Sequence, residues 1–548
     1  MMRKRHPNKS NILLVNITRL GDMLQATPTI AGMKMENPNC KISVIVEKQF
    51  DEVCKYIPYI DELIPLDLGM TVRSLSREAD GIIDAYEYID EFVQELKSRN
   101  FDYCLNMSSS AYTALLLRLI DIKRSGGWTS DSEGYRIIES DWARLFATSV
   151  FHQNRRYNSL NLVDIFRCSA DVEMHPNQLQ IMINREALDY CEQLIASAGF
   201  TNSGPLISVQ AGASQGKRQW APEKFSRLIN ILIEKYNARV MLTGSKKEMA
   251  IIERIKMNCP SPNVHIAAGK TNIPQLAALL HLSKLLITGD TGPMHVSVAA
   301  GTPVIAFFLA SAFGFETGPY SEGNLILQPV IECGPCNPNK PCSRPDCHDH
   351  IVPEAVAELV GLRLRGDVRT LPVGLFDPNK VLVHRSFFDD KGFCDLEQLN
   401  EPLSDPYDTY RLAYRRMWMD DIGDLVPELV QKYPPHESNL GALPGAAEIR
   451  ECSKKGQILI QRLIDLIKDP QSPAQQLGEV NEKIGNLDRK IEHLGYHYSH
   501  LGPLSRMFIF AKENISGTEA LDLASQTRGL YLDLERRSIK LATYYANL

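Results

Sequence analysis

Apolar positions in the first half of the chain come in short runs separated by stretches of helical spacing. Ile12–Val15 reads as a buried strand, and Gly21-Asp22-Met23 opens a helix that runs through Ile30 and Met33. Lys41–Val46 is the next strand, and Tyr59–Ile64 leads into another. Ile89, Phe92, Val93 and Leu96 fall at i, i+3, i+4, i+7, one face of a helix. Tyr103–Met107 is a further strand and Thr113–Ile120 a helix. Strands alternating with helices predict a doubly wound α/β sheet.

A second such set follows the helical stretch Arg185–Ser197 and the polar break Thr201–Pro205. Its predicted strands are Leu206–Val209, Ala238–Leu242, Val264–Ile266, Leu285–Ile287 and Val304–Ala306. The pattern predicts two Rossmann-like domains facing a cleft, residues 1–180 and 181–366. From Asp367 the texture changes, and Pro372, Pro378, Pro402, Pro406, Pro434 and Pro435 divide the chain into short pieces. Beyond Glu448 helical spacing returns. Ile460, Leu463, Ile464 and Ile467 share one face, and Val480, Ile484, Leu487, Ile491 and Leu494 repeat at 4-3-4-3 spacing. About two heptads cannot sustain an independent coiled coil, so residues 367–548 read as a mainly α-helical accessory domain. Its last helix, about Ala520 to Ala546, carries Leu521, Leu523, Leu530, Leu532, Leu534 and Leu541.

Length and charge narrow the function classes. A chain of 548 residues suggests about three or four domains. A net charge of −6 and a pI near 6.2 argue against a general nucleic-acid binder. The basic start Met1–His6 leads directly into a strand too short for a signal-peptide core. The longest apolar run, Leu115–Ile120, is interrupted by Arg118 and falls far short of the ~20 residues of a membrane span. The expected location is cytoplasmic.

Three loops carry candidate chemistry. Leu285–Ile287 stops at Gly289-Asp290-Thr291-Gly292, after which a small-residue helix begins; free backbone N–H groups there suit a phosphate. Asn16–Asp22 joins the first strand to its helix, with Gly21 for a tight turn and Asp22 as a carboxylate at a helix start. Gln210–Trp220 follows the first strand of the second set and holds Ser214, Lys217 and Arg218, a hydroxyl and two cations fit for a diphosphate. Glu248, after Thr243-Gly244-Ser245, could accept from ribose hydroxyls. Each of these, taken singly, is equally an ordinary helix cap or solvated loop.

Together the stretches NITRLGDMLQATPTI, NMSSSAYTALLLRLIDIKRSGGW, GASQGKRQWAPEKF, LTGSKKE, AGKTNIPQLAALL and LITGDTGPMHVSVAAGTPVIAFF resemble glycosyltransferase family 9, the ADP-heptose:lipopolysaccharide heptosyltransferases. The resemblance spans about Asn11 to Arg365. It implies a GT-B fold, with the acceptor on the first domain and the nucleotide-sugar on the second, and inverting transfer without a catalytic metal or other cofactor. On it, Asp22 matches the general base. Arg218, or alternatively Lys217, matches the cation at the departing diphosphate. Ser214, Thr271, Asp290, Thr291, Gly292 and His295 match donor-binding positions, and Glu248 the ribose carboxylate. The usual Trp-Pro is here Trp220-Ala221-Pro222, and Leu309-Ala310-Ser311 replaces the family's Gly-Pro-Thr.

The expected partners are an ADP-sugar and a lipopolysaccharide-core acceptor, with peripheral contact at the inner face of the inner membrane. Two alternatives stand beside this: transfer to a protein hydroxyl, with the helical region organising a homo-oligomer, or a non-catalytic scaffold. Arg118, Lys123 and Arg124 either face an anionic acceptor or are solvated charges. Among twelve cysteines, Cys333, Cys336, Cys342 and Cys347 form a C-x2-C-x5-C-x4-C array, and in a reducing compartment this spacing fits a structural Zn or Fe site. The others read as buried small apolar residues.

Overall fold

The computed structural model describes residues 10–17, 19–77, 80–122, 124–342, 345–401, 406–425 and 433–548. The basic start, Thr18, Lys123 and Pro402 lie outside the described residues. The chain divides into two compact units.

The first unit comprises residues 1–108, 119–124 and 160–403. Its first sheet has the parallel strands Glu62–Leu66, Lys41–Glu47, Asn11–Val15 and Tyr103–Asn106 in that spatial order. Its second has eight, in the order Cys394–Gln398, Val381–Phe388, Leu325–Pro329, Val304–Phe307, Leu285–Gly289, Leu206–Gln210, Arg239–Thr243 and Val264–Ile266. The six from Leu325–Pro329 to Val264–Ile266 are parallel, and Val381–Phe388 runs antiparallel to both of its neighbours. Central strands buried on both faces need unbroken apolar runs, and Leu13–Val15 and Leu285–Ile287 have no measurable exposure. Helices after the strands cover the sheets. Leu24 and Val163 from the first half share an apolar cluster with Leu280, Met294 and Val296 from the second. This is the expected GT-B arrangement of two Rossmann-like halves.

One hairpin escapes the sequence pattern. Val381–Phe388 and Cys394–Gln398 are antiparallel and extend the second sheet beyond residue 366. The apolar signal is broken by His384, Arg385 and Ser386, all buried. They are tolerated because they find partners: Arg385 reaches Asp367 (2.7 Å) and Glu397 (2.9 Å), and Ser386 Oγ donates to the Ser321 carbonyl.

The second unit gathers residues 109–118, 125–159 and 404–548. Helices Ala446–Lys468, Ala474–His497, Gly502–Glu513 and Ala520–Ala546 pack on one another, with Pro406–Asp421 against the last. The seam Val480, Ile484, Leu487, Ile491 and Leu494 is buried as expected. The last helix differs from its leucine pattern. Leu521 and Leu532 are exposed, and the buried face is Ala524, Thr527, Tyr531, Leu534, Ser538, Leu541 and Tyr544. Two tyrosines carry that face together with Leu534 and Leu541, their hydroxyls bonded to Asp488 and Asp420. Among the described residues no helix is long and apolar enough to cross a membrane.

Candidate functional site

Chain order reverses across each sheet next to its first strand, and in open α/β sheets ligands sit at such switch points, outside the carboxyl ends of the strands. In the second sheet this point lies between Leu206–Gln210 and Leu285–Gly289, which are hydrogen-bonded neighbours. In the first it lies between Asn11–Val15 and Tyr103–Asn106. The loops singled out in the sequence leave from these ends.

Around Gly289–Gly292 the polar groups interlock. Thr291, in extended conformation, is the N-cap of the helix Gly292–Ala299. Arg218 Nη1 donates to Asp290 Oδ2 (3.3 Å), and Thr317 Oγ1 donates to Asp290 Oδ1 (3.4 Å). Arg218 Nε donates to Ser311 Oγ (2.8 Å). The pair is only partly exposed, 20 % for Arg218 and 11 % for Asp290, so the attraction is screened less than on an open surface. Ser311 belongs to the segment that departs from the family pattern, and here it supplies the hydroxyl that fixes the guanidinium.

Gln210 connects this turn to the neighbouring loop. Its Oε1 accepts from Thr288 Oγ1 (2.8 Å) and Thr291 Oγ1 (3.1 Å), and its Nε2 donates to Glu248 Oε1 (2.9 Å). The other carboxylate oxygen of Glu248 accepts from the backbone N–H (2.7 Å) and the hydroxyl (2.8 Å) of Ser245. A Cβ on Gly212 would sit 1.5 Å from Glu248 Oε1, so only glycine lets that loop pass. Thr271 lies near the same place: Gly269 N–H bonds the Gly244 carbonyl (2.9 Å) in the loop that carries Glu248. Ser214 is exposed on the loop before Lys217.

The Asp22 turn meets the second half at the same helix. Asp22 Oδ2 accepts the Arg19 backbone N–H (3.2 Å), and Asn16 Nδ2 donates to the Asp22 carbonyl (3.3 Å). A Cβ on Gly21 would lie 3.0 Å from His295 Cδ2 and 4.0 Å from Gly292 Cα, an approach that leaves little room for a side chain. His295 is 5 % exposed, its Nδ1 has no hydrogen-bond partner, and burial pushes its pKa down to about 4, so the ring is neutral near pH 7. Asp22, Arg218, Asp290, Thr291, Gly292 and His295 thus lie on loops and helix starts at the two switch points, and Glu248 lies on the neighbouring loop, tied to them through Gln210.

A family model described as glycosyltransferase family 9 (heptosyltransferase) matches residues 89–346. Over this segment, a little under half of the chain, the sequence is similar to that family. Curated relatives reach further along the chain. Lipopolysaccharide core heptosyltransferase OpsX of Haemophilus influenzae is 26% identical over 371 residues, covering 66% of this chain and 94% of the relative. Lipopolysaccharide heptosyltransferase 3 of Escherichia coli K12 is 25% identical over 308 residues, covering 56% and 84%. The crystal structure of a family 9 glycosyl transferase from Veillonella parvula superposes with a TM-score of 0.51 at 19% identity, covering 65% of this chain and 98% of the other. That likeness confirms the fold, and the family match together with the heptosyltransferase relatives supports a glycosyltransferase. The helical region is an addition to the family core.

Two expectations within family 9 change at residue level. Lys217 is turned to a different task from Arg218: its ammonium donates to the carbonyls of Asn337 (3.0 Å), Pro338 (2.9 Å) and Lys340 (2.8 Å). The metal-binding expectation for Cys333, Cys336, Cys342 and Cys347 is not supported. Cys333 and Cys336 place their sulfurs 4.0 Å apart, near the edge length of a tetrahedral thiolate site, but no group of three or more His, Cys, Asp or Glu among the described residues is placed to hold an ion. Cys347 is buried, while Cys333 and Cys342 are exposed. Burial, then the neighbouring thiols, push the Cys336 pKa up to about 11, which favours the thiol over the thiolate.

Arg118 and Arg124 are engaged locally. Arg118 donates to the Ser132 carbonyl (2.7 Å) and Arg124 to that of Asp102 (3.1 Å). Sequence reasoning passed over Gln210 as a site residue, although it is the last residue of a strand at the switch point, and it treated Ser311 only as a departure.

Proposed function

We propose that the chain transfers a heptose, or a related sugar, from an ADP-sugar to a hydroxyl of a lipopolysaccharide-core acceptor, with inversion at the anomeric carbon. The observation that carries the reading is the meeting of two helix starts: Gly21 approaches Gly292 and His295, so the helix that carries Asp22 begins against the helix that follows the phosphate-type turn. The names of the family 9 relatives support the sugar and the acceptor class. Transfer at the cytoplasmic face of a membrane fits the same reading.

In this mechanism Asp22 takes the acceptor hydroxyl proton as its oxygen attacks the anomeric carbon. The bond from that carbon to the diphosphate oxygen breaks, and its electron pair leaves on the diphosphate. Arg218 and the N–H groups of Thr291 and Gly292 stabilise that developing charge. Asp290, itself anionic, serves by holding Arg218 rather than by touching phosphate. Glu248 presents its carboxylate to the ribose, tied through Gln210 to the diphosphate turn. His295, kept neutral, adds no charge next to the anomeric centre.

A nucleotide-sugar panel read by thermal stabilisation tests the donor. At a hundredfold excess over Kd, the correct donor adds about 2.7 kcal/mol. Asp22→Asn is expected to keep that stabilisation and to lose about 10²–10⁴-fold in transfer rate. Transfer at the unmodified rate would remove Asp22 as the base.

A further inference from the structure

The described parts of the cysteine-rich segment, residues 333–342 and 345–348, are fastened to both sides of Arg218. On one side the three carbonyls of Asn337, Pro338 and Lys340 form a cup around the Lys217 ammonium, using the three donors such a group has. The bond is returned: His348 Nε2 lies 2.8 Å from the Lys217 carbonyl, and the His348 carbonyl accepts from Lys224 (2.6 Å). On the other side the Ala310 carbonyl accepts the Cys336 N–H (2.9 Å). Ala310 has φ = +54°, a conformation that residues with a Cβ adopt only when surrounding contacts enforce it. The next residue is Ser311, whose hydroxyl receives Arg218 Nε.

One segment therefore grips the residue before Arg218 in sequence and the residue before its side-chain partner. We propose that the cysteine-rich segment is a positioning device for Arg218, with Lys217 as its anchor, so that occupancy of the diphosphate site and the closure of this segment are coupled. The inference rests on Arg218 being the cation at the departing diphosphate. Lys217 is in this account a positioning residue and touches no substrate. Coupling is reciprocal: whatever diphosphate gains from a fixed Arg218, the segment must gain in protection when diphosphate binds.

The buried Cys347 thiol reports the segment's opening through its rate of alkylation by iodoacetamide, read by peptide mass on the full chain. ADP, once its binding has been shown by thermal stabilisation, is expected to slow labelling of Cys347 at least threefold in the unmodified protein. Lys217→Met is expected to speed labelling at least tenfold, to abolish the ADP effect, and to lower kcat about tenfold or more with a smaller change in donor KM. Lys217→Arg should recover part of the kcat. His348→Phe, which removes the returning bond, should move labelling and kcat in the same directions if Lys217→Met does not fold. Faster labelling with an unchanged kcat would overturn the proposal, as would an absent ADP effect in the unmodified protein. Arg218→Met separates the two levels: normal transfer by that variant removes the role assigned to Arg218, whereas lost transfer with a silent Lys217→Met removes only the anchor.

Discussion

Two ion clusters, one in each compact unit, have similar distances and opposite surroundings. In the helical unit Asp421 is surrounded by Arg536 (2.7 Å), Arg537 (2.6 Å) and Lys540 (3.5 Å), its side chain wholly buried. Burial works to raise its pKa, but the two guanidinium groups outweigh it and hold the carboxyl down at about 2. Every charge there answers another within the helices Pro406–Asp421 and Ala520–Ala546. In the α/β unit Asp290 meets Arg218 at 3.3 Å, both groups keep some exposure, and each also bonds a hydroxyl, Arg218 that of Ser311 and Asp290 that of Thr317. A closed cluster neutralises itself and serves the fold. An open one keeps a guanidinium pre-oriented and able to meet a further anion.

The sharpest way to break this contrast is to remove one member of each cluster. Asp421→Ala leaves two arginines and a lysine without their carboxylate, and breaking a buried pair in this way costs about 3–5 kcal/mol. Hydrogen exchange in peptides from Ala520–Ala546 should accelerate accordingly. Arg218→Met should leave exchange in the second sheet nearly unchanged while lowering kcat about 10²–10³-fold, the loss expected for one preorganised donor to a developing anion. If Arg218→Met unfolds the sheet, or Asp421→Ala leaves the helices as protected as before, the division of roles fails.

Acid sharpens the contrast. His295, with a pKa near 4, binds its proton later than it would in the unfolded chain, where about 6.5 is ordinary. Its environment therefore costs no stability above pH 6.5 and a growing amount as pH falls from 6.5 towards 4, up to about 2 kcal/mol at pH 5. His175 acts in the same direction, lowered to about 4 by burial and then by the Arg167 charge. Asp421 behaves otherwise: its contribution is complete above the ordinary carboxylate range and is lost only as pH falls through about 2. Between pH 7 and pH 5, protection corrected for the intrinsic pH dependence of exchange should fall in peptides covering Leu285–Phe308. It should fall less in Ala520–Ala546, where half-buried His500, its pKa also lowered by burial, lies nearby through Tyr410. His295→Gln should reduce the α/β response, and an equal response in both units would contradict the assignment.

The legibility of the chain divides along the same line. Buried parallel strands declare themselves as apolar runs, so the two Rossmann-like halves and the turns at Asp22, Arg218, Glu248 and Asp290 were visible in the sequence. The hairpin at residues 381–398 was hidden because a strand with buried His384, Arg385 and Ser386 has no apolar alternation, and partners such as Asp367 lie elsewhere in the sequence. Gln210 and the separate tasks of Lys217 and Arg218 were hidden for a related reason. Two adjacent cations look equivalent until the fold shows that one faces a hydroxyl and a carboxylate and the other a ring of carbonyls. The cysteine spacing suggested an ion because spacing reports nearness and says nothing about which way the sulfurs turn.

Ser311 offers the finest test of the open cluster. Its hydroxyl accepts from Arg218 Nε, while Asp290 holds Nη1, so the guanidinium is fixed at two of its nitrogens. Ser311→Ala leaves the Asp290 contact and the charge in place and removes one of the two fixing points. A hydrogen bond to a charged group contributes about 1.5–3 kcal/mol at most, and water can replace part of it at a partly exposed site. The expected effect is about tenfold in kcat with little change in donor KM, because the charge needed for ground-state binding survives and only its aim is relaxed. Ser311→Thr retains the hydroxyl and should stay within about twofold of the unmodified enzyme. A larger loss for Ser311→Thr than for Ser311→Ala would mean that packing around Ala310, and not the hydroxyl, determines where Arg218 points.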